Sequence, residues 1–190
     1  MLEQRYTINR RRAEMPVTAR AARSWTTFFR RRPARFAALC KQDNTMPKVL
    51  VSTVINAPIE RVWRTAADYN GLPSWMPGMK DSTIEPGKKP TEIGAVRKLG
   101  MAGTKEVLRE RLEALDDKTH TITYSVLEGP LPVKNIRTTM HLRPITDSYG
   151  TLGEWSTQFD TEPGKEAEGE QTMARVFAAG FRGLKRHLGV

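Results

Sequence analysis

The stretch VLRERLEALDDKTHTITYSVLEG, residues 107–129, holds two alternating runs around a turn. In the first run Leu108, Glu110, Leu112 and Ala114 fall on one side, and Arg109, Arg111 and Glu113 on the other. Side chains alternate faces along a strand, so the charged set belongs in water and the apolar set in a core. Asp116–Asp117–Lys118 supplies turn chemistry. In the second run His120, Ile122, Tyr124 and Val126 share one face, opposite Thr119, Thr121, Thr123 and Ser125. Two such runs joined by a short turn predict an antiparallel hairpin. Glu110 breaks the pattern, because it carries a carboxylate into the apolar side, where an unpaired charge is costly.

The same alternation extends outward in both directions. KVLVSTVINAP, residues 48–58, reads as a strand closed by Asn56 and Pro58. Pro58 suits a first helical turn. Ile59, Val62, Trp63 and Ala66 then form one apolar stripe, which predicts a helix over about 58–68 with Trp63 in the core. NGLPSWMPGM, residues 70–79, reads as a second short helix or turn, broken by Pro73 and Pro77. MKDSTIEPG (79–87) and GAVRKLGM (94–101) are strands, and Gly100–Gly103 suits a hairpin turn. Beyond the break at Gly129–Pro132, Ile136, Thr138, Met140 and Leu142 alternate with Arg137, Thr139, His141 and Arg143. In TLGEWSTQFDT, residues 151–161, Gly153, Trp155, Thr157 and Phe159 share a face.

The chain closes with a helical stripe of Met173, Phe177, Phe181, Leu184 and Leu188. Glu166, Glu168 and Glu170 lie near its start and Lys185, Arg186 and His187 near its end, as the helix dipole favours, and Gly189 stops it. The order predicts an α+β fold. A curved antiparallel sheet of about seven strands wraps a long C-terminal helix, and two short helices follow the first strand. A curved sheet gripping a helix leaves space at its middle, so a cavity is expected there.

Composition bounds the function. The chain has 190 residues and 38% hydrophobic residues, which suits one domain with an appendage. No run approaches the roughly 18 apolar residues of a membrane-spanning helix. The N-terminus lacks the apolar region of a signal peptide, and Cys40 is the only cysteine, which suits a reducing, cytoplasmic setting. The net charge of +10 is unevenly distributed. Residues 1–45 hold 11 Lys/Arg and 3 Asp/Glu, whereas residues 46–190 hold 20 and 18. The basic excess belongs to an N-terminal arm, and the 46–190 body is near neutral, so no nucleic acid is expected on the domain. The arm has three readings. It is upstream sequence ahead of a start at Met46, or plain disorder; it is an organelle-targeting segment, although Ser24 is its sole serine; or it is a tail for nucleic acid or anionic membrane.

The ordered set INAPIERVWRTAADYNGLPSWMPGM, GAVRKL, RERLEALDDKTHTITYSVLEGPLPVKN and GTLGEWSTQFD resembles the START-like (SRPBCC) superfamily. It is most similar to the polyketide cyclase/dehydrase and lipid-transport branch, which includes the birch-pollen-allergen-like proteins. The resemblance spans nearly all of 47–189. It implies a helix-grip fold that binds hydrophobic or amphipathic small molecules between sheet and helix, with cyclase or dehydratase activity in some members. It is similar around RERLEALDD to the branch of the lachrymatory-factor synthase and the abscisic-acid receptors. That likeness implies that Glu110 projects into the cavity, and that Arg97 and Tyr124 stand at pocket positions of the synthase-like members. Ile136 stands where relatives often carry a tyrosine.

The residues themselves place Glu110 and Tyr124 on the apolar faces of adjacent strands. Arg97 shares a side with Ala95 and Leu99, while Val96 competes for the interior. Three roles are open. Arg97 and Glu110 form an internal pair that closes one end of the cavity; the pair binds a ligand's polar head; or Glu110 is a general base, with Arg97 steadying an oxyanion and Tyr124 donating a proton. Trp75, Met79, Leu108, Ile122, Ile136, Thr138, Met140, Trp155, Phe177 and Phe181 are candidate lining. Pro73 and Gly129–Pro132 fall in loops at the cavity mouth, where a gate can stand. His120, His141 and His187 are isolated, so no metal site is expected, and no phosphate loop, dinucleotide fingerprint or nucleophile elbow implies a cofactor.

Overall fold

The computed structural model describes residues 48–190, from the first strand to the C-terminus. The readings of the basic arm lie outside the described residues. The elements run β1 (Lys48–Ile55), α1 (Ile59–Ala66), a single 3-10 turn (Leu72–Ser74), β2 (Met79–Ile84), β3 (Val96–Met101), β4 (Val107–Asp116), β5 (Thr121–Glu128), β6 (Lys134–Ile145), β7 (Gly150–Asp160) and α2 (Glu166–Leu188). The second short helix predicted after β1 is thus one turn, because Pro73 and Pro77 leave no room for more.

All strand pairs are antiparallel, in the spatial order β1-β7-β6-β5-β4-β3-β2. β2 to β7 form a meander, as short turns dictate. β1 joins the far side of β7, with Val51 opposite Trp155. The segment containing α1 therefore carries the chain from one edge of the sheet to the other. Trp63 pins that crossing. It is 7% exposed, its Nε1 donates to Asp117 Oδ1 at 2.8 Å, and its ring meets His120 edge-on at 5.6 Å.

Two strand readings need correction. β5 begins at Thr121; His120 lies in the turn with φ of 50°, so it does not share the Ile122–Tyr124 face. The alternation in β4 breaks at a bulge around Glu113. Leu112 pairs with Tyr124, but Ala114 pairs with Thr123 and Leu115 with Ile122. The extra residue reverses the phase, so Leu115 and not Ala114 packs against the core. A second bulge leaves Leu127 unpaired and exposed.

α2, roughly 35 Å long at 1.5 Å per residue, buries Met173, Phe177, Phe181, Leu184 and Leu188, the stripe seen in the sequence. Gly189 adopts a left-handed φ of 71° and closes the helix. Two glycines bring neighbours close. A Cβ on Gly180 would sit 2.5 Å from Trp155 Cζ3. At Gly183 it would collide with the Trp75 backbone carbonyl. The helix therefore meets the sheet through Trp155 and the 75–77 loop through bare backbone. Trp155 stacks on Phe177 at 4.7 Å and meets Phe181 edge-on at 5.5 Å. No described helix is long and apolar enough to cross a membrane.

Candidate functional site

Strand register builds the polar centre. Arg97 on β3 lies directly opposite Glu110 on β4, and both side chains turn inward. They are 4% and 6% exposed. Both Nε and Nη2 of Arg97 reach a single carboxylate oxygen, Oε2, at 2.7 and 2.6 Å. Nη1 donates to the backbone carbonyl of Tyr69. The guanidinium also lies over the Tyr69 ring at 4.0 Å and 5.4 Å from the centre of the Tyr124 ring. The Tyr69 hydroxyl donates to the Glu110 backbone carbonyl at 2.9 Å, which fastens the post-helix segment to β4. Arg97 is thus enclosed on several sides by groups that use its charge.

Tyr124 stands one register step from Glu110, opposite Leu112 on β4 and Thr138 on β6. Its hydroxyl oxygen accepts from Trp155 Nε1 at 3.2 Å. Burial pushes the Tyr124 hydroxyl far above the ordinary tyrosine range, and the Glu110 charge adds to this, against the pull of Arg97 and of the Trp155 hydrogen bond. Burial likewise raises Tyr69. Both phenols are held neutral. Thr138, also buried, donates to Thr157 at 3.1 Å.

A cavity of about 330 Å³ lies between this part of the sheet and α2. Leu108, Val126, Ile136, Met173 and Phe177 supply much of an apolar wall. Glu110, Tyr124 and Thr138 are its buried polar residues. Exposed Pro77, Gly78, Pro130 and Arg175 mark the open side. Glu110 reaches the wall but Arg97 does not. Among the described residues, none donates a hydrogen bond to Glu110 Oε1, the oxygen that Arg97 leaves free. No three His, Cys, Asp or Glu side chains cluster for a metal among the described residues.

The sequence model of the polyketide cyclase/dehydrase and lipid transport family matches residues 46–189. The chain belongs to this family. Solved structures agree with the assignment. The protein XoxI from Bacillus cereus is 28% identical over 74% of this chain and 94% of its own, with a TM-score of 0.66. A protein from Thermobifida fusca is 30% identical over 75% and 93%, also at 0.66. One from Nitrosospira multiformis is 29% identical over 74% and 94%, at 0.65. The chain is a START-like, helix-grip member of the cyclase/dehydrase family.

Within this family frame the candidate residues divide. Met79, Leu108, Ile136, Thr138, Trp155 and Phe177 line the cavity beside Glu110 and Tyr124. Trp75, Ile122, Met140 and Phe181 are buried elsewhere in the core and stand outside its wall. Trp75 packs 6.0 Å from Trp155, and its Nε1 is buried without a hydrogen-bond partner among the described residues. Of the two loops expected at the mouth, Pro130 and Leu131 reach the wall and Pro73 does not. Sequence reasoning missed Tyr69, which is 1% exposed and organises Arg97. Its only signal was an aromatic residue just after α1. It also missed Leu72, Met76 and Val176 as wall residues. The first two sit in the proline-broken segment, where no periodicity points anywhere.

Proposed function

We propose that this protein binds one small amphipathic molecule in the cavity between sheet and α2, with the apolar body against Leu108, Val126, Ile136 and Phe177 and the polar end at Glu110 and Tyr124. The observation that carries this reading is a cavity of about 330 Å³, open on one side, whose wall is apolar except for a few converging polar groups. That is the usual make-up of a small-molecule site, and the volume falls at the lower end of the ordinary range of about 300–1,000 Å³. Membership of a family described by both cyclase/dehydrase and lipid transport supports the same class of ligand.

The test is native mass spectrometry of the full chain, with solvent extraction of anything that co-purifies, followed by competition with an apolar fluorescent probe. A stoichiometric amphipathic molecule, or a probe that binds the parent chain and fails to bind Val126→Trp, supports the reading. A folded chain that takes up no probe at all refutes it.

A second reading is a cofactor-independent cyclase or dehydratase acting on a polyketide-like carbonyl compound. It is favoured by one feature: a carboxylate oxygen without a partner among the described residues lies in the same cavity as a tyrosine hydroxyl held protonated by burial. In that chemistry Glu110 is the base and Tyr124 the proton donor, while Arg97 fixes the carboxylate from behind. Turnover of such a substrate should fall about 10²–10⁴-fold in Glu110→Gln. Unchanged turnover removes the catalytic reading and leaves binding in place.

A further inference from the structure

We infer that the cavity selects a neutral, hydroxyl-bearing ligand, an alcohol or phenol, over an acid or an ether of the same shape; this rests on the ligand-binding reading above. The argument begins with the arginine. In a buried site an arginine is the usual partner of a ligand carboxylate. Here Arg97 is unavailable. Its Nε and Nη2 are on Glu110, its Nη1 is on the Tyr69 carbonyl, and it lies behind the wall. What the buried end of the cavity offers instead is Glu110 Oε1, an acceptor carrying negative charge. Its other oxygen, Oε2, is already fixed at 2.7 and 2.6 Å by Arg97.

Beside it the Tyr124 oxygen accepts from Trp155 at 3.2 Å, while no described residue accepts the tyrosine's own proton. The polar end therefore presents one charged acceptor and one neutral donor. A ligand hydroxyl satisfies both kinds of group, because it donates and accepts. An ether only accepts, so it leaves Glu110 dehydrated and unmatched, which is the expensive outcome. A carboxylate meets Glu110 as a like charge, or must take up a proton before it enters. Among the described residues, the one cation on the wall is Arg175, which is exposed on α2 at the open side. An acid can therefore bind only with its head at the mouth.

The experiment titrates the full chain and its Arg175→Gln variant with 2-naphthol, 2-methoxynaphthalene and 2-naphthoate at neutral pH, by calorimetry. Arg175→Gln prevents a carboxylate held at the mouth from being mistaken for one held inside. In that variant naphthol should bind about tenfold or more tightly than either of the others. The double variant Arg97→Met/Glu110→Leu replaces the buried pair with apolar side chains, a change that folds often tolerate. In it the naphthol advantage over methoxynaphthalene should shrink to near parity. Naphthoate or methoxynaphthalene binding Arg175→Gln as tightly as naphthol overturns the inference while the binding reading stands. A naphthol advantage that survives the double variant overturns the role given to Glu110. If none of the three binds either chain, the binding reading itself fails.

Discussion

Replacing Arg97 with methionine strands the Glu110 carboxylate inside the protein. The hydrogen bond from Nε and the ion-pair contact from Nη2 to Oε2 disappear, as do the bond to the Tyr69 carbonyl and the contact with the Tyr69 ring. The side chains are 4% and 6% exposed, so water reaches the stranded carboxylate only from the cavity side and replaces little of what is lost. Breaking a buried pair from one side costs about 3–5 kcal/mol, most of it the penalty of the uncompensated charge. A domain of this kind has about 5–15 kcal/mol in total, so Arg97→Met should sit near the edge of folding. The pair as a whole contributes far less, because desolvation offsets its attraction. Arg97→Met/Glu110→Leu should therefore return to within about 1 kcal/mol of the parent, the remainder being the Tyr69 carbonyl left without its donor. Urea unfolding followed by tryptophan fluorescence closes the double-mutant cycle. A single variant as stable as the parent, or a double variant as poor as the single, would refute the reasoning.

Three further outcomes follow from the same structure. Tyr69 and Tyr124 are raised above the ordinary value of 10.0 in the folded state, so their contribution is whole below pH 10 and is lost as pH rises. Stability should then decline by up to about 1.4 kcal/mol per pH unit for each, and both phenolate absorbances should appear only with alkaline unfolding; ionisation of either one in the folded protein, assigned by difference titration against Tyr69→Phe and Tyr124→Phe, would contradict this. Gly183→Ala would normally help a helix, yet here its Cβ meets the Trp75 carbonyl, so a net loss of about 1–3 kcal/mol in thermal or urea unfolding is expected, and a gain would show that the 75–77 loop does not rest on α2. Trp155→Phe removes the hydrogen bond to Tyr124 and part of the stack on Phe177, which should cost about 1–3 kcal/mol, whereas a neutral result in the same assay would mean that neither contact holds the site.

Local pattern explains how much of this was legible beforehand. Strand alternation placed Glu110 and Tyr124 inward, and both are. The spacing of Met173, Phe177, Phe181, Leu184 and Leu188 selected the buried face of α2. The phase of β4 beyond Leu112 was misread because a bulge leaves no mark in a hydrophobic count: one unpaired residue exchanged the roles of Ala114 and Leu115. The 68–79 segment was nearly silent, since prolines remove the periodicity that inference depends on. Yet that segment supplies Tyr69, Leu72 and Met76.

The sequence by itself determined the elements, their order, the meander from β2 to β7 and the inward carboxylate. All of these follow from neighbours within a few residues, through the two periods of strand and helix and through turn chemistry. Only the tertiary structure decided that β1 closes on β7, since pairing between strands a hundred residues apart depends on which surfaces are left to cover. Only it separated the wall of the cavity from the rest of the core, since Met140 and Ile136 have the same local pattern but different neighbours across the sheet. And only it settled what Arg97 does. A buried guanidinium can face a ligand or hold a carboxylate, and that choice is made by distances of 2.6 and 2.7 Å to a residue on another strand, together with a tyrosine ring brought in from a third part of the chain.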